Sequence, residues 1–253
     1  MKRTIYRPYD EFGAMYDEWT TGKHMEIKKT FVARDIVECI EKKYPDTGDE
    51  KIDEMYDYLY DKALTAHQKL VMMMFAEYKI HKSKEEFEST QNMDIPTLCG
   101  MGNTKILFYV ESMIVFARNA LDVMSTIYSD LIFNIRLDSF NKFSKTVIKS
   151  EDSLLTNLKQ YFTDNNNERL SAFRLLCGSE KGRALRDIII HQANIRLEYH
   201  EYKENSEKES LFLRLKDMEP IDFEWFVSNF IEEVEEIFSI TTSCCKKYLE
   251  NQT

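Results

Sequence analysis

The chain has 253 residues, enough for one large domain or two small ones, and only 7 Gly and 4 Pro. Average usage of about 7% and 5% would give roughly 30 of the two together, so turn-dense all-β folds and Gly-rich phosphate loops are disfavoured. The apolar fraction is 43%, the charged fraction 31% and the net charge −10. Amphipathic helices in water fit that balance, and a surface of that sign opposes a non-specific DNA coat.

Residues 1–25 are polar with interspersed aromatics, Tyr6, Tyr9, Phe12, Tyr16 and Trp19, which are expected to pack onto the body. Lys2, Arg3 and Arg7 are not followed by an apolar stretch, so no signal peptide is expected. From Glu26 to Tyr44 the spacing of Phe31, Ile36, Val37 and Ile40 predicts a helix, stopped by Pro45-Asp46-Thr47-Gly48. Asp49 to about Thr90 lacks Gly and Pro and repeats apolar residues every three to four positions. It predicts one long helix, or two joined at a kink, with Met72, Met73 and Met74 in the core.

Pro96, Gly100 and Gly102 mark the clearest internal break, 91–102. It suggests an N-terminal helical region over 1–95 and a second domain over 96–253, or one continuous fold. Thr104 to Asn134 predicts a second long helix, apolar on most sides and hence central to a bundle. Arg118 and Asp122 interrupt its middle, and their spacing of four puts them on one face. Shorter helices are expected over 138–149, 151–163 and 167–176, with a turn at Asp164-Asn165-Asn166-Asn167.

Ser179 resembles an N-cap with Glu180 in the first turn of a helix running through Arg183, Arg186 and His191. Then the period changes to two. Ile195, Leu197 and Tyr199, and later Leu211, Leu213 and Leu215, alternate with polar or differently facing residues around an insert at 203–209, which predicts a β-hairpin. Pro220 opens a last amphipathic helix, Phe223 to about Glu250. The reading is thus all-α with one short hairpin.

The five cysteines are scattered without a C-x-x-C pair, and no stretch of about 18 apolar residues exists. Reduced thiols in a cytoplasmic protein without a membrane span follow as the expectation. No Walker loop, G-x-G-x-x-G, H-E-x-x-H or G-x-S-x-G is present, and neither a metal nor a cofactor is signalled.

The one suggestive cluster is Arg183-Ala184-Leu185-Arg186-Asp187-Ile188-Ile189-Ile190-His191. Asp187 and His191 can touch on a helix. Arg186 and His191, five apart, point roughly 140° from each other on an ideal helix. They meet only if the helix frays near His191 or if two chains share a site. Otherwise Arg186 and Asp187 pair on the surface and His191 caps the helix end.

Arg186 to His191 resembles the R-x(4–6)-H signature of the HEPN superfamily, helical domains that include many metal-independent ribonucleases. The stretch Ala117-Arg118-Asn119-Ala120-Leu121-Asp122 is similar to a helix of one HEPN-like subgroup that precedes the arginine–histidine helix. The likeness spans about residues 100–250. It implies a HEPN-like helical bundle and a homodimer whose two copies of Arg183, Arg186 and His191 line a groove for RNA. It implies His191 as acid/base, Arg186 as phosphate clamp and Asp187 as orienting group, often in toxins or antiviral defence effectors. Arg118 and Asp122 then stand behind this pair or touch substrate, or else form a buried structural ion pair. The same likeness allows a non-catalytic HEPN-like module that binds a partner or dimerises. Few further basic residues lie near the motif, and Glu180, Asp187 and Glu198 flank it.

Overall fold

The computed structural model describes residues 32–89, 95–168, 170–178, 195–200, 210–214 and 220–251. These residues form α1 (Val32–Lys43), α2 (Glu50–Ser89), α3 (Ile95–Phe133) and α4 (Phe140–Lys149), then a 3₁₀ turn (Ser153–Leu155), α5 (Thr156–Asn167) and α6 (Ala172–Cys177). The strands β1 (Arg196–His200), β2 (Ser210–Arg214) and β3 (Ile221–Asp222) follow, and α7 (Phe223–Glu250) is the last described element. The protein is mainly helical, with one small antiparallel sheet in the order β1-β2-β3.

The spine is the pair α2 and α3, of 40 and 39 residues. Each is roughly 60 Å long at 1.5 Å per residue. Their packing is the most extensive in the molecule; α1 and α7 lie on this pair, and α4 packs on α3. Ile106, Val110, Met113, Ile114, Ala117, Leu121 and Ile127 of α3 are fully buried, as its all-round apolar character predicts. Among the described residues, the core cluster draws on every helix from α1 to α7 and on the sheet through Leu211, Leu213 and Ile221.

The hairpin is present. Leu197 pairs with Leu213 and Tyr199 with Leu211, in the register the alternation predicts, and Leu211 and Leu213 are buried. A third strand, not anticipated, pairs Ile221 with Leu213. It is two residues long, too short to leave a period. Asp222 ends it and caps α7, accepting a hydrogen bond from the Trp225 backbone N–H at 2.9 Å.

Three expectations need correction. The break at 91–102 is shorter than expected, because α3 begins at Ile95 and contains Pro96, Gly100 and Gly102. Proline costs little in a first turn, where its missing N–H would have no helical partner. Two glycines at about 1 kcal/mol each do not stop a helix that continues through a long apolar run. The expected turn at 164–167 is the last turn of α5. Its polar residues bond back onto the helix: Gln160 to Asp164 at 2.7 Å, and Asn165 Nδ2 to the Tyr161 carbonyl at 3.0 Å. The helix expected over 167–176 starts only at Ala172, where Ser171 Oγ accepts from the Arg174 N–H at 3.1 Å.

No described helix is long and apolar enough to cross a membrane. The lead-in at 1–25 and the side chain of Cys99 lie outside the described residues.

Candidate functional site

Arg183, Arg186, Asp187 and His191 lie outside the described residues, as does the expected cap at Ser179. The frame on either side of them is described. On the N-terminal side, α6 ends at Cys177, and Gly178 takes a φ of 76° while its N–H donates to the Arg174 carbonyl at 2.8 Å. Glycine alone adopts that conformation without strain. On the C-terminal side the chain resumes with Ile195, 6% exposed, and enters β1. Both α6 and β1 pack against α3.

Arg118 is 8% exposed. Its Nε donates to Asp122 Oδ2 at 3.0 Å, one Nη to the Leu176 carbonyl at 2.7 Å, and the other to Ser139 Oγ at 3.3 Å. The first of these Nη atoms also lies 3.7 Å from Cys177 Sγ. The second oxygen of Asp122 accepts the Phe140 N–H at 2.8 Å, at the start of α4. One ion pair thus ties the middle of α3 to the start of α4 and the end of α6. The last carbonyls of α6 have no helical donor, and a buried guanidinium supplies one. Arg118 and Asp122 form an ion pair, and its arginine reaches Leu176 and Cys177 at the end of α6.

The Cys177 thiol beside Arg118 is pushed up to about 12 by burial, which outweighs the lowering by the guanidinium. Cys39 and Cys244 rise to about 11, and Cys245 rises as well, again through burial. All four are free thiols. Such groups are poor nucleophiles at neutral pH.

Two polar features were not anticipated. At the joint of α1 with the end of α3, Asp130, 4% exposed, accepts from Tyr44 Oη at 2.6 Å and pairs with Lys43 Nζ at 3.1 Å and Arg136 Nε at 3.7 Å. Lys43 Nζ also reaches the Asp130 carbonyl and, at 2.7 Å, Asn134 Oδ1. A charge inside an apolar helical run was the signal that exposed Arg118, and it would have exposed Asp130. The second is Glu77 on α2, whose carboxyl burial and the nearby Glu235 of α7 raise to about 7. Its signal is weaker, since glutamate is common on helices. Burial also lowers His67 to about 4, which keeps that imidazole neutral.

Among the described residues no group of three or more His, Cys, Asp or Glu side chains is placed to hold a metal ion. No family model, no curated protein and no solved structure matches this chain.

Proposed function

We propose that this chain is a metal-independent endoribonuclease of HEPN type, acting as a homodimer in the cytoplasm. The reading is carried by the run Arg186 to His191 and its resemblance to the HEPN signature, in a mainly helical protein. Cleavage needs no outside reagent. The 2′-oxygen of a ribose attacks the adjacent phosphorus, the bond to the 5′-oxygen breaks, and the products are a 2′,3′-cyclic phosphate and a 5′-hydroxyl. One proton leaves the 2′-hydroxyl and one is delivered to the 5′-oxygen, so the balance closes. An imidazole exchanges protons near neutral pH, and two His191 at a shared groove would serve as base and acid. Arg186 stays charged and can hold two phosphate oxygens of the pentacovalent species. Asp187 orients His191 or Arg186. Such proteins often act as toxins or antiviral effectors, and that setting suits this reading.

The test is incubation of single-stranded RNA with the protein in excess chelator, followed by analysis of the new ends. The reading expects cyclic phosphate and 5′-hydroxyl termini, and none of them with Arg186→Ala. Ends of another kind, or cleavage that needs added metal, would refute it.

A second reading, a non-catalytic HEPN-like module that binds a partner, is favoured by one observation. The buried Arg118, which the same likeness would set behind the catalytic pair, spends its donors on Asp122, Leu176 and Ser139. It then predicts a dimer that leaves RNA intact.

A further inference from the structure

Charge is segregated along α2. Residues 50–61 hold five carboxylates and one lysine, whereas 62–84 hold five lysines and Glu77 alone. Three more glutamates, Glu85, Glu86 and Glu88, follow. An acidic chain thus carries a basic tract roughly 33 Å long at 1.5 Å per residue, with acidic residues at both ends.

The tract is interleaved with aromatic rings. Phe75, Lys79 and Lys82 follow one another at spacings of four and three, and so lie on one face of α2. On α3, Lys105 and Phe108 are exposed, Phe108 to 63%. The two rows adjoin. Lys69 lies 5.8 Å from the Phe116 ring of α3, and Lys105 pairs with Glu86 at 2.5 Å. Lys79 lies 5.1 Å from the Phe75 ring and 5.6 Å from that of Tyr78. A ring that attracts an ammonium ion also offers its face to a base, and the displaced ammonium is then free for a phosphate.

We propose that this face of α2 and α3 is a track for single-stranded RNA, with Lys79, Lys82 and Lys105 on phosphates and Phe75 and Phe108 stacked on bases. The choice of RNA rests on the function proposed above, while the surface is argued without Arg186 or His191. The cations of this face would compensate for the few that lie beside the motif in sequence.

The test uses the full chain carrying His191→Ala, so that binding is read without cleavage. Fluorescence anisotropy of a labelled twelve-nucleotide oligo(rA) is followed across a salt series. Binding should weaken at least tenfold when Lys79→Gln and Lys82→Gln are combined, and the slope of log affinity against log salt should fall by about 1.4, since each phosphate contact to a single strand contributes about 0.7. Phe108→Ala, an exposed change that the fold tolerates, should weaken binding with the salt slope unchanged. Lys142→Gln on α4, 62% exposed, serves as the control and should bind as the parent does. The proposal is overturned if the double variant binds like the parent, or if the parent prefers oligo(dA) or duplex RNA. It is equally overturned if the parent binds phosphatidylserine vesicles but not oligo(rA). Binding that persists without any cleavage by the wild type would sink the nuclease and leave the track standing.

Discussion

At the scale of single residues, the Arg118–Asp122 pair makes the strongest claim. Removing the guanidinium takes a donor from Asp122 Oδ2, the Leu176 carbonyl and Ser139 Oγ. Breaking such a pair from one side costs about 3–5 kcal/mol, so Arg118→Ala should lower the urea midpoint strongly. Asp122→Asn keeps an acceptor for the Phe140 N–H and should cost less. Equal losses in the two variants would show that the pair does not join α3, α4 and α6 as described. Titration gives a second check. Glu77 is raised to about 7 in the folded chain, so folding favours its protonated form. Its stabilising effect is full below the ordinary glutamate range and is lost as pH climbs through 7. His67, lowered to about 4, acts in the opposite sense: its effect is full above about 6.5 and is lost as pH falls through 4. Each shift corresponds to about 3 kcal/mol, so the two slopes largely cancel between about pH 4.5 and 6.5. Chemical denaturation across that window should show, relative to the wild type, stability that rises with pH in Glu77→Gln and falls with pH in His67→Leu. Parallel curves for all three proteins would contradict this account.

At the scale of elements, the long periodic stretches and the hairpin were legible because their physics is local. The apolar stripe of α2 reflects one buried face, as does the alternation that buries Ile195, Leu211 and Leu213. What escaped was decided by tertiary neighbours. Ser171 caps α6 because that helix docks on α7, where Glu233 accepts the Ala172 N–H. No period marks β3, whose two residues are ordered by pairing with β2. The α7 cap is a clean local test: Asp222→Ala should cost about 1 kcal/mol in thermal unfolding, as loss of an N-cap carboxylate usually does. An unchanged Tm would mean that the helix start is held by β3 alone. Of the candidate site, the sequence marked Arg118 and Asp122 because a charge in an apolar helix is costly unless paired. Asp130 stands in the same helix by the same logic, but its partners Lys43 and Tyr44 are 87 and 86 positions away, so no local spacing marks it.

At the scale of the whole molecule, an acidic protein is proposed to act on a polyanion, and that conflict has to be resolved locally. The basic tract of α2 and two copies of Arg183 and Arg186 supply the local positive field, while the remaining surface repels. RNA binding should therefore weaken steeply with salt, whereas a protein held together by a buried apolar core should show a melting temperature that salt moves little. The measurement that bears most directly on the central claim is the rate of cleavage of a single-stranded RNA in chelator, wild type against His191→Ala, with circular dichroism verifying that both are folded. Loss of a general acid–base group lowers such a rate by about 10²–10⁴-fold, and the account predicts a drop in that range. Equal rates in the two folded proteins, or no cleavage by the wild type, would contradict it.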